Sequence, residues 1–241
     1  MKILAVESTS MVAGAALIDE NQLIGEIRIH HRKNHSEQLL PLVDQLLSLC
    51  ECPLAEVDVL AVSLGPGSFT GIRIGVATVK GLAQALNKPV IGVNTLEALA
   101  WQAAPFTGVI MPLMDAQRNL VYTAAYRFSR GELITAAEPD VLHIQELMTT
   151  LEESTDARLF LGDALLLHRK RITDFLGEQA SFALPIHNMP SAASLAQCAL
   201  KKALAGEGVD AALVRPVYFR TSQAEKVYEQ RRMLKKEGEM P

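Results

Sequence analysis

Two carboxylates stand where chemistry is possible. Glu7 and Asp115 each end an apolar run and each precede turn residues, Ser8-Thr9-Ser10 in one case and Ala116 to Asn119 in the other. Such a pair can hold a metal–phosphate group or act as general acid and base. The plainer reading is that acids at strand ends cap the neighbouring turns. A second candidate is the segment Gly65-Pro-Gly-Ser-Phe-Thr-Gly-Ile-Arg-Ile-Gly75. A glycine turn feeding a helix N-terminus can bind phosphate. No Lys-Ser or Lys-Thr follows these glycines, so the P-loop pattern is excluded, and the spacing is not that of the dinucleotide fingerprint. The histidines offer less. His31 and His35 are four apart, but the first ends a strand pattern and the second begins a helical one. They share no face and have no third ligand, so no metal site is expected. His143, His168 and His187 are scattered, and no nucleophile–base pair supports a peptidase.

These residues need elements to position them. Lys2–Glu7 and Val12–Ile18 read as buried strands, and Ile27, Ile29 and His31 alternate with polar neighbours as a half-buried strand does. Helical spacing follows from Leu39 to Cys50, with Asn34 or Ser36 as its cap and Pro41 just past its first turn. Asp58–Leu64 reads as a strand, and Ser68 or Thr70 caps a helix to about Leu86. Val90–Val93 is a strand, and Asn94 caps a helix through Ala103. After Pro105 the pattern restarts. Val109–Asp115, Val121–Phe128 and Leu133–Ala136 read as strands, Gln145–Glu152 as a helix, Arg158–Gly162 as a strand and Asp163–Leu176 as a helix. Ser191–Ala205 is a further helix. The order strand-strand-strand-helix-strand-helix thus occurs twice, which predicts two α/β lobes. By analogy of layout, the fold class is α/β, the two-lobed actin-like ATPase, sugar kinase and Hsp70 architecture. The expected division is 1–104 and 105–220, with a charged tail over 221–241 that reads as a fraying helix.

Two helices carry the clearest hint of a partner. Leu39, Leu40, Leu42, Val43, Leu46, Leu47 and Leu49 cover more than one stripe, and a helix apolar on two faces needs two faces covered. On the following helix Ile72, Val76, Val79, Ala83 and Leu86 form an apolar stripe beside Gly71 and Gly75. Each glycine costs a helix roughly 1 kcal/mol against alanine, so something packs there too closely for a β-carbon. It is either the chain's own sheet or another protein, in which case the two helices form half of an intermolecular four-helix bundle. The residues expected at that interface are Leu39, Leu42, Val43, Leu46, Gly71, Ile72, Gly75, Val76, Val79 and Leu82.

Composition narrows the class. The 241 residues are 49% hydrophobic, 21% charged and only 5% aromatic, which predicts an aliphatic core in a soluble protein. A net charge of −4 argues against a broad nonspecific grip on nucleic acid. The first apolar run is too short for a signal-peptide core, and no window reaches membrane-span length. Three cysteines, Cys50, Cys52 and Cys198, form no framework and predict reduced thiols in the cytoplasm.

The glycine segment, taken with Met1-Lys-Ile-Leu-Ala-Val-Glu-Ser-Thr9, closely resembles the bacterial TsaB family, also called YeaZ. His35-Ser-Glu-Gln-Leu-Leu-Pro41, Gly92-Val-Asn-Thr-Leu96, Asp115-Ala-Gln-Arg118 with Val121-Tyr122, and Arg215-Pro-Val-Tyr-Phe-Arg220 extend the resemblance to about residue 220. It implies the actin-like fold and a non-catalytic scaffolding subunit of the complex that makes N6-threonylcarbamoyladenosine beside the tRNA anticodon. The implied partners are the transferase TsaD and the ATPase TsaE, with a homodimer through the same two helices when TsaD is absent. Contact with tRNA is implied only through the complex, and no membrane is involved. No cofactor is implied for the chain alone; ATP or ADP and a metal belong to partner subunits. TsaD-type enzymes carry two metal-binding histidines where this sequence has Thr95 and Leu99. Gly162-Asp163-Ala164 stands nearest to the superfamily's adenosine-binding double glycine. Glu7 replaces the usual Asp, leaving a vestigial nucleotide site at most over Glu7, Ser8, Thr9 and Asp115. The competing reading is a stand-alone ATP-dependent enzyme using Glu7 and Asp115 in the cleft between lobes.

Overall fold

The computed structural model describes residues 1–30, 35–152 and 155–220. Each half of the chain builds a five-stranded sheet in the same order. In the first half β1 (Ile3–Glu7), β2 (Val12–Ile18) and β3 (Leu23–His30) form an antiparallel meander. Helix α1 (His35–Leu49) leads to β4 (Val59–Gly65), and α2 (Phe69–Leu86) leads to β5 (Val90–Asn94), both parallel to β1. The sheet order is β3-β2-β1-β4-β5. After α3 (Thr95–Trp101) the second half repeats this with β6 (Val109–Asp115), β7 (Leu120–Ser129), β8 (Glu132–His143), α4 (Ile144–Leu151), β9 (Arg158–Leu161), α5 (Leu165–Leu176) and β10 (Ala180–Phe182). Its order, β8-β7-β6-β9-β10, matches the first strand for strand. Helix α6 (Ala192–Leu204) follows.

The sequence explains the layering. Strands β1 and β2 are buried along their whole length, as their unbroken apolar runs require of strands covered on both faces. Helices α1 and α2 cover one face of the first sheet through Leu39, Leu42, Leu46, Ile72, Val76 and Val79. Leu195, Ala196, Ala199 and Leu200 of α6 cover its other face, against Ile3, Ala5, Ala61 and Ile91. Helix α3 inserts Leu96, Leu99 and Ala100 against Ile110, Met114 and Tyr126 of the second sheet. The outer face of that sheet is closed by α4 and α5.

The two central helices are therefore exchanged. Helix α6 comes from the second half and packs on β1, β2, β4 and β5, while α3 comes from the first half and packs mainly on β6, β7 and β8, with Ala98 keeping contact with the first core beside α6. The expected division at 104/105 separates the strands of the two sheets, which lie in 3–94 and 109–182, while α6 lies on the first of them. Sequence order assigned α6 to the second lobe, whereas its apolar stripe completes the first sheet. Glu26 of β3 fixes the entry of α6, accepting from Ser191 Oγ at 2.8 Å and from the Ala193 N–H at 3.1 Å. A carboxylate there also complements the helix dipole.

Two strands depart from expectation. β8 runs on past Ala136 to His143, its pairing with β7 shifting register at Thr123, Ala125 and Tyr126, irregularities that accommodate Pro139 on an edge strand. β10 was not foreseen, being three residues long with Ser181 exposed. The expected helical tail, His31 at the end of its strand and Asn34 as a cap lie outside the described residues.

Candidate functional site

The turn after β1 lies against the start of α2. Ser68 caps that helix, accepting from the Gly71 N–H at 3.3 Å, and its own N–H donates to the Thr9 carbonyl at 2.6 Å. Ser8 Oγ donates to the Gly71 carbonyl at 2.9 Å. A β-carbon at Gly71 would overlap the Ser8 carbonyl oxygen, and one at Gly75 would overlap Ser8 Oγ. Of the two bodies expected beside these glycines, the chain's own sheet or another protein, it is thus the chain's own β1 turn that fills the space.

The same packing changes the meaning of the first carboxylate. Glu7 is fully buried. Its Oε1 accepts from the Thr9 N–H at 2.6 Å and from Thr9 Oγ1 at 2.5 Å, and its Oε2 accepts from Ser63 Oγ. Burial pushes the Glu7 carboxyl upward, opposed by the hydrogen bonds from Ser63 and Thr9. Ser8 and Thr9 are buried with it. The expected nucleotide-binding residues Glu7, Ser8 and Thr9 thus spend their polar atoms on one another and on α2. Both Glu7 oxygens are taken up by bonds from Thr9 and Ser63.

Asp115 is exposed and sits in a different setting. Its Oδ1 accepts from the Gln117 N–H at 2.8 Å, and its own N–H donates to Asp163 Oδ1 at 2.9 Å. Burial pushes the Asp163 carboxyl up to about 6; the Asp115 N–H opposes that rise and the Asp115 charge adds to it. Gln117, Arg118 and Asn119 all have φ near +60°, an uncommon run for residues with side chains. The Arg215–Arg220 motif crosses between the sheets beside this turn. The Val217 N–H donates to the Leu64 carbonyl at 2.8 Å, Phe219 meets Tyr122 edge-on, and Arg220 donates to the Ala116 carbonyl.

The outer side of α1 and α2 is the other candidate. The expected interface residues Leu39, Leu42, Val43, Leu46, Gly71, Ile72, Gly75, Val76 and Val79 are all buried against the first sheet. They hold the helices in place, because the sheet-facing stripe is also the strongest apolar stripe in the sequence, and Val43 also reaches the outer side. Leu82 is half-buried and, with Val43, lines a groove of about 700 Å³ beside Leu40, Pro41, Leu47, Pro53 and Leu54. Leu40 is 52% exposed and Leu49 71%, so apolar side chains on the two opposite flanks of the buried stripe of α1 are uncovered. On α2 the outward residues include Ala77, Gly81 and Ala85, one turn apart. A β-carbon at Gly81 would meet nothing within 4 Å. The sequence signal was present in that spacing, but the eye is drawn to the more crowded Gly71 and Gly75.

With this geometry, the comparisons are specific. A family model described as "TsaD: tRNA N6-adenosine threonylcarbamoyltransferase" matches residues 23–228. A Bacillus subtilis protein named "tRNA threonylcarbamoyladenosine biosynthesis protein TsaB" is 34% identical over 225 residues, 93% of this chain and 96% of that protein. The chain belongs to the TsaB family. YeaZ from Pseudomonas aeruginosa superposes with a TM-score of 0.77 at 28% identity, over 90% of this chain and 99% of that one. Component A of (R)-2-hydroxyglutaryl-CoA dehydratase from Acidaminococcus fermentans matches with a TM-score of 0.51 at 10% identity, over 85% of this chain and 99% of that one, and shares the fold alone. The chain thus shares with both structures a fold of two α/β units, each built on a five-stranded sheet. Its Thr95 and Leu99 do not fit the metal that TsaD-type enzymes are expected to hold. Both are fully buried on α3, and Leu99 is part of the core against the second sheet. A hydroxyl and an alkyl group cannot replace two imidazoles.

Proposed function

We propose that this TsaB-family chain is a non-catalytic scaffolding subunit in the biosynthesis of threonylcarbamoyladenosine in tRNA, and that it docks a TsaD-type transferase on the outer face of α1 and α2. The observation that carries the reading is the uncovered strip made by Leu40, the groove beside it, and Ala77, Gly81 and Ala85. Small residues one turn apart let a second helix approach closely, and exposed leucines beside them supply apolar area. The match to a TsaD model supports a partner of like fold, so two such helix pairs meeting would make a four-helix bundle. The same strip accommodates a second copy when the transferase is absent. An ATPase of the TsaE type is the third component, and tRNA is met through the complex. ATP or ADP and the metal belong to those partner subunits, and the chain acts in the cytoplasm. The sealed Glu7 weighs against catalysis by this chain.

The test uses outward residues, since Gly75 and Val76 are core. Ala77→Glu should leave the thermal midpoint within about 2 °C, as surface changes usually do, and should abolish co-elution with the TsaD-type partner in size-exclusion chromatography. Undiminished co-elution of the folded variant would remove the proposed face.

A further inference from the structure

Arg73 stands on the flank of α2 beside this strip and is exposed. Its guanidinium is nevertheless held in one pose. The Cζ lies 4.0 Å from the centroid of the Phe69 ring, and Nε donates to Tyr218 Oη at 2.9 Å. Phe69 and Tyr218 stack with centroids 4.3 Å apart, so the clamp is itself braced between α2 and the Arg215–Arg220 segment. One edge of the guanidinium is used by Tyr218. Among the described residues, no ion pair takes the remaining Nη donors. An arginine side chain ordinarily loses considerable rotamer freedom when it binds. Here much of that ordering is already in place, and the open fork points to a planar anion.

We propose that Arg73 is a preset receptor for a carboxylate on the partner that docks on the α1–α2 face; the inference rests on that docking reading. The surroundings select the anion. Val217 and Tyr218 are 44% and 41% exposed, and with Phe69 they make an apolar collar suited to a protein side chain. Lys80, also on α2, donates to the Ala212 and Val214 carbonyls at 3.4 and 3.2 Å, the same two carbonyls that engage Arg215. It is not available to share the second charge of a phosphoryl group. One guanidinium fork and one carboxylate match in shape and charge.

Calorimetric titration of the full chain with its TsaD-type partner tests this, using Arg73→Ala, Arg73→Lys, Tyr218→Phe and Ala77→Glu. Arg73→Ala should weaken binding on the order of tenfold or more, as loss of a charge-assisted pair does. Arg73→Lys should recover little, because an ammonium has no fork. Tyr218→Phe keeps the stack and loses the Nε contact, so it should weaken binding less than Arg73→Ala. The wild type should lose affinity with added salt more steeply than Arg73→Ala. If both Arg73 variants bind like wild type while Ala77→Glu does not bind, the carboxylate receptor is wrong and the docking face stands. If the wild type fails to bind, or Ala77→Glu binds normally, both fall. Competition by millimolar inorganic phosphate that depends on Arg73 would make the site a phosphate receptor and overturn the proposal.

Discussion

Glu7 is fully buried and Asp163 half-buried, and their neighbours treat the two carboxylates differently. Glu7 receives hydrogen bonds on both oxygens from Thr9 and Ser63, and so serves as the internal cap of a turn. Asp163 accepts the Asp115 N–H but also faces the Asp115 charge, and its carboxyl rises to about 6. A folded-state value above the ordinary 3.8 means the native protein keeps this proton when the unfolded chain has lost it. Stability from this group is therefore unaffected below about pH 4, falls as pH rises from about 4 to 6, and stays reduced above that. Asp163→Asn keeps an acceptor for the Asp115 N–H and removes the ionisation. The variant should gain up to about 3 kcal/mol over wild type at pH 7 and nothing at pH 4. Urea denaturation at the two pH values measures the difference, and equal gains at both would refute the assignment. Sequence marked Glu7 and Asp115 as strand-end acids but missed Asp163, because burial is set by packing that no local pattern encodes.

Helix α2 carries glycines that answer to different neighbours. Gly71 presses on the Ser8 carbonyl, and Gly81 faces open space. Gly71→Ala should destabilise the protein by about 1–3 kcal/mol, the usual cost of overpacking a tight contact. Gly81→Ala should stabilise it by up to about 1 kcal/mol through helix propensity, while weakening partner docking. Paired thermal melts and binding titrations would show the opposite signs; a stabilising Gly71→Ala would mean the β1 turn is not where α2 requires it. Element boundaries were largely legible, because their causes are local. Ser68, offered with Thr70, and Asn94 were read as caps, and Ser191 as the first residue of its helix; all three are caps, each accepting from its own helix N–H groups. What could not be read was the identity of the body against Gly71, since Ser8 lies far back in the chain. The α1–α2 pair was likewise visible as a two-faced apolar unit, but sequence favoured its inward face, where the apolar residues are densest.

At the scale of the whole molecule the exchanged helices decide cooperativity. The first sheet is closed on one face by α6, and the second is closed on one face by α3. Neither half carries a complete core. A fragment of residues 1–104 should therefore bind hydrophobic dyes and lack a cooperative melt, whereas residues 1–220 should unfold in one transition. A cooperative melt of the short fragment, followed by calorimetry, would show that the lobes are independent. The duplication itself was plain in the sequence, because two apolar strands each end on an acid before a turn. The exchange was not, since nothing in the pattern of α6 says which sheet it covers. During synthesis this arrangement imposes a wait. Ile3, Ala5, Ala61 and Ile91 leave the ribosome long before Leu195 and Leu200 can cover them. At roughly 5–20 residues per second, the nascent first half stays open on one side for seconds, making this chain a client for whatever shields apolar surface at the tunnel exit.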